Sequence, residues 1–333
     1  MNLDSPLFDK VLGCLLGGVI GDAMGTPTEK LPYTEIQQRF GWVDTFSGDG
    51  TDDSILKHIL CETLERTDGH ATADTWGEDW LRHSETFIDN SLFFAPVVTT
   101  FWKLRGERVL PREAGAGNMA SSSSAMCISP IGIVNAGNPR QAVLETFEVA
   151  SLIHHNFCRD GACAMAAAVA QAFAPAADVE SVLRAAAEFL PERSAEAMRV
   201  ALQSTLEIAY ASAGYEDFRA RYYRTALDNQ QHFTDSRETV PLALALVWLA
   251  DGDAQKAVEY GANFGRDADT IASMAGAVAG ALGGARSLPK AWFDTLGPRL
   301  DKQRVRADRM TQLVRARAEA ARATAQAVLE IAK

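Results

Sequence analysis

Apolar positions recur at three- and four-residue spacing along most of the chain. The pattern is plain in TDDSILKHILCETLER, PRQAVLETFEVASLIHHN, DGACAMAAAVAQAFA, SVLRAAAEFL, ETVPLALALVWLADG and QKAVEYGANF. Such spacing gathers apolar side chains on one face of a helix, whereas a half-buried strand alternates with a period of two. Clean period-two runs rich in β-branched residues are missing. Pro111, Pro130, Pro139, Pro175, Pro191 and Pro289 punctuate the periodic segments rather than interrupt them. No stretch has the composition of an inter-domain linker, and no repeat of fixed period stands out. The pattern predicts an all-α fold, a single domain of many helices over residues 1–333. Residues 301–333 differ: they are rich in Ala, Arg and Glu, with Met310, Leu313, Val314, Val328, Leu329 and Ile331 as a thin apolar stripe. They form a long helical extension, either on the surface of the parent domain or in a subunit contact that makes an oligomer.

Two segments carry small residues at every fourth position. Gly13, Gly17, Gly21 and Gly25 make one stripe; Ala272, Gly276, Gly280 and Gly284 make the other. Glycine inside a helix costs about 1 kcal/mol relative to alanine, so a stripe of it calls for the close approach of another backbone. The two stripes are expected to pack, with each other as natural partners, and to hold their ends rigidly. Those ends read GDAMGTPTE and GRDADT.

The chemistry gathers at such ends. GRDADTI, residues 265–271, places Asp267, Asp269 and Thr270 directly before the small-residue helix. One such side chain suffices to cap a helix N-terminus, so three in four positions are a surplus. SGDGTDDSILKHIL repeats the theme, with Thr51, Asp52 and Asp53 at another helix start. If the clusters converge, four carboxylates share one pocket, repel one another and raise one another's pKa. Two divalent cations balance that charge. Carboxylate and hydroxyl oxygens are hard donors that suit Mg²⁺, Mn²⁺ or Ca²⁺ rather than zinc or copper.

Composition narrows the partners. The formal net charge over 333 residues is −11, the wrong sign for binding nucleic acid. Cys14, Cys61, Cys127, Cys158 and Cys163 contain no C-x-x-C pair, so neither a disulfide framework nor a zinc ribbon is expected. MNLDSPLFDK lacks the basic-then-apolar pattern of a signal peptide. VLGCLLGGVI and the segment after GRDADT fall short of the about 20 residues that span a bilayer. A reduced, soluble, cytoplasmic protein is expected, with no membrane partner.

With these motifs assembled, the sequence resembles the ADP-ribosylglycohydrolases, the family of the dinitrogenase-reductase-activating glycohydrolase and the vertebrate ADP-ribosyl-acceptor hydrolases. The likeness runs from GCLLGGVIGDAMGTPTE through TDDS to GRDADTIASMAGAVAGALGG. It implies a compact, orthogonal all-α fold and a dinuclear Mg²⁺ or Mn²⁺ centre. It also implies cleavage of the bond between the anomeric carbon of a ribose and an attached group. By motif, Thr51, Asp52 and Asp53 match the first ligand set, and Asp267, Asp269 and Thr270 the second. Glu29 falls where some relatives carry a glutamate that helps the hydrolysis. Asp22 matches a near-constant aspartate, for which support of the ligands is expected.

Two departures bear on the substrate. Where relatives often read G-N-G-x-A-M-R, this chain reads SSSSAMCISPIG, so Ser121, Ser122, Ser123 and Ser124 replace a glycine-rich turn and Cys127 an arginine. Serine hydroxyls and backbone N–H groups remain available as phosphate or sugar donors. Arg266 stands where many relatives have glycine, suited to grip a phosphate or carboxylate bidentately or to form a structural ion pair. His154 and His155 fall near a family histidine that lines the pocket, and at most one of the two is expected to reach it. The activity implied is metal-assisted hydrolysis of a ribosyl bond in an ADP-ribosylated protein or small molecule, through an oxocarbenium-like state. Glu29 would take a proton from the water or help to position it. Two alternatives stand beside this: hydrolysis of a small N- or O-riboside lacking the ADP part, and a catalytically silent binding or structural role. Retention of all six ligands and Glu29 weighs against the last.

Overall fold

The computed structural model describes residues 5–88, 90–225 and 232–332; Lys333, the last residue of the expected extension, lies outside them. Among the described residues the chain forms seventeen α-helices and no β-strand, as its periodicity predicts. Proline more often opens a helix than separates two. Pro6, Pro139 and Pro298 each take the first helical position, where the missing N–H has no partner to lose.

The helices Pro6–Gly25 and Ala268–Gly283 pack against each other along their small-residue stripes. A Cβ on Gly13 would lie 2.3 Å from Gly280 O, one on Gly17 2.0 Å from Gly276 O, and one on Gly21 2.2 Å from Ala272 O. The contacts are reciprocal, since a Cβ on Gly276 would lie 2.2 Å from Gly17 O. Partner numbers fall on one helix as they rise on the other, so the pair is antiparallel. Glycine at 13, 17, 21, 276 and 280 permits this approach, since a Cβ at any of them would overlap the opposite backbone. The helices Asn156–Ala172, Ser236–Leu249 and Ala254–Ala262 pack around Ala268–Gly283, which is why that helix is buried on all sides.

The antiparallel register decides where the site lies. The C-terminal end of the first helix, with Asp22 and Gly25, meets the N-terminal end of the later one; a Cβ on Gly25 would touch Asp269 Cα at 2.4 Å. The last helix, Pro298–Ile331, packs its first half on the body through Ala307, Met310, Thr311 and Val314. From residue 318 to residue 332 it is exposed.

Candidate metal centre

Three helix ends meet at one point. Thr51 and Asp267 each take the N-cap position of a helix, Asp52–Arg66 and Ala268–Gly283, and neither side chain makes a capping bond. Asp22 supplies the missing cap to the first of these from 29 residues away. Its carboxylate accepts from Thr51 N at 2.9 Å, Thr51 Oγ1 at 2.9 Å, Ser54 N at 3.0 Å and Ser54 Oγ at 2.5 Å. Asp52 and Asp53 are thereby released from capping, and both are buried.

The second cluster is held by a backbone clamp. Lys30 N donates to Arg266 O at 2.7 Å and Arg266 N to Leu31 O at 3.0 Å. The corner needs two successive residues in the left-handed region, Gly265 at φ 82° and Arg266 at φ 62°. Glycine tolerates this freely; arginine pays about 1 kcal/mol. The clamp sets Glu29 against the helix start. Glu29, Asp267 and Asp269 each offer an oxygen within 4.8 Å of the others, as do Asp22, Asp53 and Asp269. Asp269 is common to both groups. Thr270 Oγ1 donates to Asp53 Oδ2 at 3.3 Å, tying one cluster to the other. A cavity of about 210 Å³ opens above them, lined by Glu29, Thr51, Asp52, Asp53, Asp267, Asp269 and Thr270 among others. All seven residues expected as ligands or catalyst therefore face one space.

The electrostatics are those of a crowd of acids with too little to balance them. Burial pushes Asp52 up to about 7, against the Phe94 N–H that donates to it, and repulsion by Asp22 adds to the rise. Asp53, Asp267 and Asp269 are pushed well above the carboxylate range, first by burial and then by neighbouring acids: Asp22 and Asp52 act on Asp53, Glu29 and Asp52 on Asp267, and Asp267 and Asp53 on Asp269. Asp53 Oδ1 is buried and accepts no hydrogen bond, a costly state for a carboxylate oxygen. An orphaned oxygen facing hard donors is what a divalent cation would satisfy, so the residues fit the group the sequence suggests.

The expected substrate residues divide. Ser122 and Ser123 line the cavity; Ser122 Oγ donates to Asp267 Oδ2 at 3.1 Å. Ser121 and Ser124 turn away onto His154, at 3.3 Å from its Nε2 and 3.1 Å from its Nδ1. His154 is buried in this ladder, and burial lowers its pKa to about 4. His155 contacts Arg112 O at 3.3 Å. Neither histidine is brought to the cavity wall. Arg266 is also turned elsewhere: its Nε and one Nη donate to the two oxygens of buried Glu238, each at 2.8 Å. Of its two expected roles, the ion pair is the one this geometry contains. Sequence reasoning missed the wall formed by Ser91, Leu92, Phe93 and Phe94, and missed Thr26, Lys30 and Thr234. SLFFAP carries no polar pattern that marks it. Lys30, whose ammonium meets Glu29 at 2.9 Å, is signalled only by adjacency.

An all-α body with a buried carboxylate centre at a glycine-packed helix junction defines the class, a helical hydrolase-like fold. The chain belongs to the ADP-ribosylglycohydrolase family, whose sequence model matches residues 3–326. It is 25% identical over 300 residues to the ADP-ribosylarginine hydrolase Tri1 of Pseudomonas putida (strain GB-1), covering 86% of this chain and 74% of that one. It is 24% identical over 307 residues to the ADP-ribosyl-[dinitrogen reductase] glycohydrolase of Rhodospirillum rubrum, covering 89% and 92%. A solved structure titled ADP-ribosylglycohydrolase-related protein complex superposes with a TM-score of 0.68 at 20% identity, over 92% of this chain and 99% of that one. The comparisons support ADP-ribosyl hydrolase activity in general. No described helix is long and apolar enough to cross a membrane.

Proposed function

We propose that this protein is a metal-dependent hydrolase of an ADP-ribosyl bond, with Mg²⁺ or Mn²⁺ held by Thr51, Asp52, Asp53, Asp267, Asp269 and Thr270. The orphaned Asp53 Oδ1 inside a set of buried, mutually raised carboxylates carries the reading. What a pair of divalent cations supplies in such a site is orientation of ribose hydroxyls and a water of lowered pKa. The protein's own part starts with Glu29. Its side chain is 26% exposed at the cavity edge, where it is placed to take a proton as water adds to the anomeric carbon. The acceptor leaves with the bonding electron pair. The buried carboxylates favour the positive charge that develops on the sugar. Lys30 Nζ meets the Glu29 carboxylate at 2.9 Å and keeps it aligned.

The names of the relatives favour an ADP-ribosylated protein as substrate, with arginine as one acceptor to test. A second reading, a riboside without the ADP part, draws on the serine run. Ser122 N and Ser123 N donate to Thr234 O and Ser121 Oγ, so both amides are spent inside the protein rather than free for a diphosphate. Calorimetric titration of the Mn²⁺-loaded protein decides between the two. Micromolar binding of ADP-ribose, about −8 kcal/mol, with ribose far weaker supports the first; equal, weak binding of both promotes the second. A turnover screen with and without Mn²⁺ on ADP-ribosyl-arginine, ADP-ribosyl-serine and plain nucleosides then names the acceptor. All five cysteines are free and buried, which supports a reducing, cytoplasmic setting.

A further inference from the structure

One turn below the carboxylates lies a buried cation that the hydrolytic reading does not use. Asp22, Asp53 and Asp269 come from three different helices. Four residues deeper on each helix stand Gly18, Lys57 and Ser273, on the same faces as the acids and about 5 Å below them. Lys57 is fully buried. Its Nζ donates to Ser273 Oγ at 3.0 Å. A Cβ on Gly18 would lie 2.5 Å from that Nζ, so the glycine leaves room for the ammonium. Burying a lysine without an acid beside it is costly; here the acids are the triad overhead. Lys57 lowers the pKa of both Asp22 and Asp53 against the rise that burial causes.

We infer that Lys57 is the internal counter-ion of the acidic centre, a positioning residue that holds the Asp22–Asp53–Asp269 triad together without metal and moderates how tightly cations bind. The inference rests on the metal reading for its second half only. Six carboxylates, Asp22, Glu29, Asp52, Asp53, Asp267 and Asp269, crowd the centre. The Lys57 ammonium below them stabilises the metal-free site and competes with any cation that enters.

The test compares wild type with Lys57→Met in Mn²⁺ titration calorimetry and in thermal melts with and without chelator. Loss of a unit charge several ångströms from the site, at an effective dielectric of about 20, should tighten Mn²⁺ binding at least about tenfold. The melting temperature in chelator should fall by about 5 °C or more, and Mn²⁺ should restore more of it than it adds to wild type. A merely structural lysine would lower both melts equally and leave affinity unchanged; Mn²⁺ affinity within about twofold of wild type, or weaker, overturns the inference. Should Lys57→Met fail to fold without metal, Asp22→Asn/Lys57→Met is the second variant. Removing one acid with the lysine should recover at least about half of the lost melting temperature, and a double variant no more stable than Lys57→Met overturns the inference as well. If wild type itself takes up no Mn²⁺, the metal reading fails, and the coupling between Asp22 and Lys57 alone decides the role of Lys57.

Discussion

Two buried polar clusters lie side by side in this protein, and they are built on opposite terms. The ladder of Ser121, Ser124 and His154 is closed. Each hydroxyl meets an imidazole nitrogen, Ser124 also reaches Cys158 O at 3.4 Å, and His154 Nε2 meets Met119 O at 3.2 Å. The carboxylate centre is open. Its acids are raised by burial and by one another, and Asp53 Oδ1 has no partner. A closed network stabilises and asks for nothing, whereas an open one is a standing cost that a ligand removes. The difference separates the roles: the ladder is a structural support behind the cavity, and the centre is where the proposed chemistry would take place.

Breaking the open cluster should have the largest effect. Asp267→Ala and Asp52→Ala are each expected to lower turnover by at least about 10³-fold and to shrink the rise in melting temperature that Mn²⁺ gives. Normal metal content with normal turnover in both variants would refute the ligand assignment. Glu29→Gln comes next, with a loss of about 10²-fold in kcat, the scale of a missing proton acceptor. Glu29 also lies within 4.8 Å of Asp267 and Asp269 oxygens, so the same variant sharpens its role. Retained Mn²⁺ affinity marks a catalyst, and lost affinity marks a ligand.

The clusters should also answer pH in opposite directions. Acids whose folded pKa is raised bind protons more readily folded than unfolded, so their stability contribution is lost as pH climbs. Asp52 sets the window, from its usual 3.8 to about 7. Metal-free protein should therefore melt several degrees lower at pH 8 than at pH 5.5, and saturating Mg²⁺ should flatten that slope. His154 pulls the other way. Its pKa is lowered from 6.5 to about 4, so its contribution is present above pH 6.5 and lost as pH falls towards 4. Buried His58 acts in the same sense. A metal-free melting temperature that rises steadily from pH 5.5 to 8 would contradict the account of the acids.

Much of this was legible in the sequence because it is local. The four-residue stripes predicted the helix pair, and TDDS with GRDADT named the side chains that line the cavity. What was illegible depends on distant partners. Asp22 caps a helix that begins 29 residues later, and no local pattern announces that. Arg266 finds Glu238, buried 28 residues upstream, so a guanidinium that reads as a phosphate grip is already engaged. The serines replaced a glycine turn and were expected to offer donors. Only the fold shows that two of them face His154, because the histidine comes 30 residues after Ser124. Sequence periodicity reports which face of an element is buried, not which polar groups meet inside.

The smallest expected effect concerns the closed ladder. Ser124→Ala removes a buried hydroxyl that contacts His154 Nδ1 at 3.1 Å and leaves that nitrogen without it. A lost buried hydrogen bond of this kind costs about 1–2 kcal/mol, read as a drop of a few degrees in melting temperature for a protein of this size. Ser124 does not line the cavity, so kcat and KM should stay within about threefold of wild type. Ser122→Ala is the contrasting variant. Its hydroxyl donates to Asp267 Oδ2 at 3.1 Å, on the open side, and the interaction lowers the pKa of Asp267. Its removal should touch Mn²⁺ affinity more than stability. If Ser124→Ala impaired KM while Ser122→Ala left metal affinity alone, the ladder and the centre would have to exchange roles, and the division between closed and open clusters would fail.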